Sequence, residues 1–146
     1  MDWIFDRLAL GCQEDGIAAT APSITTCLHV GQQVYTPHHG VSLLHVPIED
    51  EVCLPQGTWS PLVYVLGTFL RHGERVLVHC RLGKSRSPAL VCAYLMQCGM
   101  GPEEARAYVH LLHPVMAIHP ETWRGVMEWW ERMQAGSNRS VFIATK

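Results

Sequence analysis

Short apolar runs bounded by glycine and proline occupy the first half of the chain, and stretches with apolar residues every three to four positions dominate the second. Trp3 to Leu10 mixes Ile, Phe and Leu with charges and ends at Gly11, which predicts a strand. Glu14 to Thr20 predicts a short helix. Ile24 to Val30 and Val41 to Val46 predict buried strands, bounded by Pro22, Gly31, Gly40 and Pro47, with His38-His39-Gly40 as a turn. Pro47 to Gly57 predicts a loop carrying Glu49, Asp50 and Glu51. Ser60-Pro61 then has the form of an N-cap followed by proline at the first helical position. Leu62, Val63, Leu66, Phe69 and Leu70 follow at helical spacing, and Gly73 stops that helix. Val76 to His79 predicts the central strand, and Ser87 to Cys98 a helix ended by Gly99. Pro102 to Leu112 predicts another helix, with Ala105, Val109 and Leu112 inward. The last helix opens at His119-Pro120 and carries a stripe of Trp123, Val126, Met127, Trp130 and Met133, which predicts core packing. Residues 136–146 predict a loose tail beyond a domain of residues 1–135.

Strand, crossover helix and strand in this order imply parallel pairing with a right-handed connection. The expected fold is one α/β domain: a mixed, largely parallel sheet of four or five strands with helices on both faces.

Composition narrows the function. A chain of 146 residues, 48% apolar, suits one domain with one core. The net charge of −2 gives no basic surface for nucleic acid or membrane. No run of eighteen apolar residues predicts a spanning helix, and Met1 to Asp6 lacks the form of a signal peptide. Six cysteines are present without a C-x-x-C pair, so neither a zinc site nor a disulfide framework is expected. A reducing, cytoplasmic setting fits that usage.

The densest chemistry lies in Val78-His79-Cys80-Arg81-Leu82-Gly83-Lys84-Ser85-Arg86-Ser87, where five residues separate a cysteine from an arginine. A strand, a tight loop and a helix N-terminus in that order make an anion cradle. Loop N–H groups can converge on one point, and the helix dipole adds positive charge there. Arg86 can fork two hydrogen bonds onto two oxygens of a phosphate. Cys80 lies in the same field, which favours thiolate over thiol. Gly83 lets the backbone turn so that the N–H groups of residues 81 to 86 point inward. The plain alternative is a structural cysteine beside a first-turn arginine.

Val76-Leu77-Val78-His79-Cys80 through Ser85-Arg86-Ser87-Pro88, with Ala93-Tyr94-Leu95-Met96 beyond, resembles the signature of the cysteine-based protein phosphatases, specifically the small dual-specificity branch. The resemblance covers the chain from about Leu8 to Met133. It implies a metal-independent phosphomonoester hydrolase with a Cys-x5-Arg phosphate loop, no cofactor and a cysteinyl-phosphate intermediate. In that reading Cys80 is the nucleophile. Arg81, Leu82, Gly83, Lys84, Ser85 and Arg86 hold the substrate phosphate, and Ser87 donates its hydroxyl to the sulfur. As a plain helix cap Ser87 would serve equally well. The family places an aspartate just after an apolar-Pro-Ile strand end, about thirty residues before the cysteine. Val46-Pro47-Ile48-Glu49-Asp50 matches, which implies Asp50 as general acid, with Glu49 and Glu51 as the first replacements. His79 is implied to position the loop.

Phosphotyrosine and phosphoserine or phosphothreonine of proteins are the implied substrates. Arg81 and Lys84 put two extra cations in the loop, as in relatives that act on phosphoinositides or other phospholipid head groups, so that class is the alternative. A phospho-binding module without turnover is a third reading. His110 and His113 lie three apart on a helix but have no further ligand of fitting spacing, so they are read as ordinary histidines. Cys27, Cys92 and Cys98 are expected in the core. Cys12 and Cys53 are candidates for an oxidative pairing with Cys80.

Overall fold

The structure is a computed structural model, which describes residues 1–144, with side chains to residue 136. Five strands form one sheet: β1 (Asp2–Phe5), β2 (Leu8–Gly11), β3 (Thr26–His29), β4 (Ser42–His45) and β5 (Val76–His79). Their order is β1-β2-β5-β3-β4. All neighbours are parallel except β1 and β2, which are antiparallel. The expected mixed, largely parallel sheet is therefore present. The single strand expected over Trp3 to Leu10 is instead a hairpin: its charges, Asp6 and Arg7, form the turn between β1 and β2. β4 and β5 are parallel as expected, but β3 lies between them.

The inner strands alternate sides with period two. Leu8, Leu10, Leu28, Val76 and Val78 enter the larger core, while Ala9, Cys27 and Leu77 enter a smaller one on the opposite face. The larger core is built with α2 (Trp59–Arg71), α3 (Arg86–Gln97), α4 (Pro102–Leu112) and α5 (Pro120–Ala144). The short α1 (Gln13–Ala18) packs against β2, β3 and β5, and Ala19 and Ile24 just beyond it fill the smaller core.

Several expected boundaries shift. α2 begins at Trp59, behind a 3₁₀ turn over Gln56–Thr58, so Ser60 is not its cap. Ser60 Oγ instead accepts a hydrogen bond from Trp129 Nε1 at 2.8 Å. Among the described residues, Thr122, Gly125, Val126 and Trp129 are the buried positions of α5, on one face of the helix. Trp129 was absent from the expected stripe, and Met133 is 39% exposed rather than core. Cys27 and Cys92 are buried, but Cys98 is exposed, because it caps α3 beyond the last buried turn. α5 continues through Ala144 where an irregular tail was expected from residue 136; Thr145 and Lys146 lie outside the described residues. No helix among the described residues is long and apolar enough to cross a membrane.

Candidate active site

The site lies where three parallel strands end. β5 delivers His79 and Cys80, β3 delivers His29 and the Gly31-Gln32 segment, and β4 leads through Pro47 to the Glu49-Asp50-Glu51 loop. Carboxyl ends of parallel strands are where such sheets bind ligands. A cleft of about 960 Å³ opens there, lined by Cys80, Asp50, the loop residues Arg81, Leu82, Lys84 and Ser85, and by Arg86. Its far wall comes from α4 and the segment leading into α5, including Arg106, His110 and Met116.

Cys80 is 3% exposed, and Ser87 Oγ lies 3.2 Å from its Sγ. Ser87 sits inside the first turn of α3 and is fully buried, whereas the N-cap position belongs to Ser85. The hydroxyl is thus aimed at sulfur rather than at the helix N–H groups. Arg86 is buried too. Its Nη1 donates to Ile48 O at 3.2 Å and to Gln32 Oε1, which fixes the guanidinium plane. Its Nε lies 3.5 Å from Asp50 Oδ1 yet makes no hydrogen bond, leaving one buried donor of the guanidinium unused. A buried unpaired donor is costly, and an oxyanion in the cleft would satisfy it. Asp50 is 46% exposed, so one thirty-residue sequence separation has become a shared pocket. Glu51 also lines the cleft and takes φ +60, while Glu49 is not among the lining residues.

The loop's shape follows from where its carbonyls go. Arg81 O accepts from Gln13 N at 3.0 Å, Lys84 O from Ala117 N at 2.7 Å, and Ser85 O from Ala89 N at 2.9 Å. Gly83 O meets His113 Nε2 at 2.6 Å. Four of the loop's carbonyls, those of Arg81, Gly83, Lys84 and Ser85, are thus taken up by protein donors. Gly83 is required for this turn. Its φ is +72, and a Cβ there would lie 2.7 Å from Gly11 O.

Beneath the loop three imidazoles stack. His79, His29 and His45 end β5, β3 and β4 and lie in register across the sheet. The His29–His79 and His29–His45 ring centroids are each 4.3 Å apart, with planes within 18° and 10° of parallel. Hydrogen bonds fix each ring. His79 Nδ1 donates to Cys80 O at 3.2 Å and Nε2 accepts from the Tyr35 hydroxyl at 2.7 Å. His29 Nδ1 accepts from Gly31 N at 3.2 Å and Nε2 donates to Gln33 O at 2.6 Å. His45 Nε2 donates to Gly31 O at 2.6 Å. Burial disfavours the charged form, pushing His79 down to about 4 and His29 in the same direction. Gly16 makes room for the His79–Tyr35 bond: a Cβ there would lie 2.4 Å from His79 Nε2.

Of the expected site residues, Cys80, Arg86, Asp50 and Ser87 come together, and Arg81, Leu82, Lys84 and Ser85 line the same cleft. Gly83 turns away beneath the loop against Gly11. Gln32, Tyr35, His29, His45 and His113 went unrecognised in the sequence. One signal for the stack was there: Leu28-His29, Leu44-His45 and Val78-His79 each close an apolar run with histidine.

A fold and a loop of this kind define a cysteine-dependent phosphatase scaffold. Residues 10–132 match the family described as dual specificity phosphatase, catalytic domain, and the chain belongs to that family. It is 32% identical to human Dual specificity phosphatase 28 over 117 residues, covering 78% of this chain and 66% of that protein. It is 36% identical over 59 residues to Phosphatidylglycerophosphate phosphatase PTPMT1 of Arabidopsis thaliana, covering 40% of this chain and 18% of the relative. The chain thus spans less than two thirds of either relative's length. The crystal structure of human DUSP28 superposes with a TM-score of 0.81 at 28% identity, covering 93% of this chain and 99% of that one.

Proposed function

We propose that the chain hydrolyses phosphate monoesters through a cysteinyl-phosphate intermediate, acting on phosphotyrosine and on phosphoserine or phosphothreonine of proteins. The observation that carries this reading is Cys80 Sγ 3.2 Å from Ser87 Oγ, at the start of a loop that ends on the buried guanidinium of Arg86. In the first step the Cys80 thiolate donates an electron pair to phosphorus. The S–P bond forms, the bond from phosphorus to the ester oxygen breaks, and Asp50 gives its proton to that oxygen. Arg86 and the loop N–H groups hold the non-bridging oxygens. In the second step the Asp50 carboxylate takes a proton from water, whose oxygen bonds phosphorus as the S–P bond breaks. Ser87 donates a hydrogen bond to the departing thiolate. Inorganic phosphate and the alcohol or phenol are released, and both side chains return to their starting states. No cofactor or metal enters these steps.

The test is turnover of para-nitrophenyl phosphate in the presence of a chelator, with acid-quenched protein assayed for thiol-linked phosphate. Wild type should turn over and trap phosphate on Cys80; Cys80→Ser should do neither. Retention of about a tenth of the wild-type rate in Cys80→Ser would overturn the covalent route.

A phospholipid or phosphoinositide head group is the second reading. Arg81 and Lys84 are exposed in the cleft wall, Arg106 lines the same cleft, and a lipid phosphatase is among the relatives. The protein substrate is preferred because the chain's net charge is −2 and no basic run accompanies the loop.

A further inference from the structure

His113 is buried at the C-cap of α4, far in sequence from the loop, and neither ring nitrogen is free. Nε2 lies 2.6 Å from the Gly83 carbonyl, and Nδ1 lies 2.7 Å from Asp2 Oδ2 on β1. A carbonyl carries no hydrogen, so Nε2 is the donor to Gly83 O.

The geometry points to His113 as a positioning residue that holds the phosphate loop by donating to the Gly83 carbonyl, with Asp2 anchoring the ring from β1. This rests on the phosphatase reading for its consequence but not for its contacts. Arg81 O, Lys84 O and Ser85 O take their donors from backbone, which no substitution of one side chain removes. Gly83 O takes its donor from a side chain. Gly83 is also the residue whose φ of +72 reverses the loop. Losing the donor frees the carbonyl to rotate toward the cleft, where its partial negative charge would oppose an oxyanion. Peptide rotation at this point also swings the following N–H, that of Lys84, away from the phosphate site. The loop would then bind an oxyanion more weakly and stabilise the transition state less, while the substrate's other contacts persist. The expected signature is a fall in kcat with a smaller rise in KM.

The decisive comparison uses His113→Phe, which keeps a ring but no donors, and His113→Arg, which keeps a permanently charged donor. Asp2→Asn completes the set: its amide can donate to Nδ1 and leave Nε2–H on Gly83. Two readouts are taken on each, the inhibition constant of tungstate against para-nitrophenyl phosphate hydrolysis, and amide hydrogen exchange of residues 82–85. An inhibition constant does not depend on the fraction of protein folded, so a purely structural defect leaves it unmoved. His113→Phe should raise it about tenfold, the loss of one hydrogen bond to a loop carbonyl, and should speed exchange in the loop. Arg and Asn variants should stay within about threefold of wild type. Unchanged exchange and unchanged tungstate inhibition in His113→Phe would overturn the assignment, as would His113→Arg being as impaired as His113→Phe. A wild type that neither turns over nor binds tungstate would overturn the phosphatase reading instead. Loop exchange would still decide the clamp, faster exchange in His113→Phe supporting it and equal exchange refuting it.

Discussion

Acidification should destabilise the fold through His79, and the size of the effect follows from the structure. The ring is fully buried, and burial holds it down to about 4. Its Nδ1–H and its Nε2 lone pair are both engaged, so a second proton would have to displace the Tyr35 hydroxyl bond. In the unfolded chain the same ring titrates near 6.5. Between these values the unfolded state binds the extra proton and the folded state does not, so stability falls as pH drops. A folded value of about 4 and an unfolded value of about 6.5 give a loss of about 2 kcal/mol between pH 7 and pH 5. Asp15, lowered from its ordinary value of 3.8, acts below this window and does not contribute to it. With a urea slope of about 2 kcal/mol per molar, the midpoint should move down by about 1 M. Urea unfolding at pH 5, 6 and 7 on wild type and His79→Gln measures it. The variant lacks the titrating ring, so its pH dependence should be shallower by about that amount, while His29 still contributes to both. Equal slopes for the two proteins, or a wild type more stable at pH 5 than at pH 7, would refute the reasoning.

Gly83→Ala should remove activity and lower stability by at least about 1–2 kcal/mol from the left-handed backbone alone, and the added methyl also collides with Gly11 O at 2.7 Å; thermal unfolding and tungstate binding check both. Asp50→Asn should slow hydrolysis of alkyl phosphates by about 10²–10⁴-fold and spare esters with good leaving groups; the same pattern in Glu49→Gln but not in Asp50→Asn would move the acid by one residue. Joint replacement of Arg81 and Lys84 by alanine should leave phosphotyrosine peptide turnover within a few fold, because exposed charges are screened. The same change should cost about ten- to a hundredfold per lost contact on a phosphoinositide, if each cation bonds a second phosphate.

The parts legible in the sequence were those written locally. Cys80, Arg86 and Ser87 lie within eight residues, and a strand-loop-helix reading was enough to converge them. Short apolar runs bounded by glycine and proline gave most of the strands, because the inner strands β2, β3 and β5 are buried on both faces. Strand order was not legible, since β3 enters between β4 and β5 through pairing that no local pattern encodes. Asp50 came through a resemblance; three adjacent carboxyls do not by themselves say which one reaches Arg86. Gln32 and His113 were invisible for the same reason. Each acts on the loop from 54 and 30 residues away, through a single side chain on an otherwise ordinary loop or helix end.

The stack of His79, His29 and His45 joins three segments that must work together. Its outer rings end the strands that feed the Cys80 loop and the Asp50 loop, and its middle ring precedes the turn that carries Gln32 to Arg86. Each ring is packed face to face with the next at 4.3 Å, so none can be exchanged for a smaller or differently shaped group without loosening its neighbour. A change at position 29, 45 or 79 is therefore felt by the other rings of the stack. The stack thus ties the spacing between the Cys80 loop and the Asp50 loop to the thickness of three flat rings.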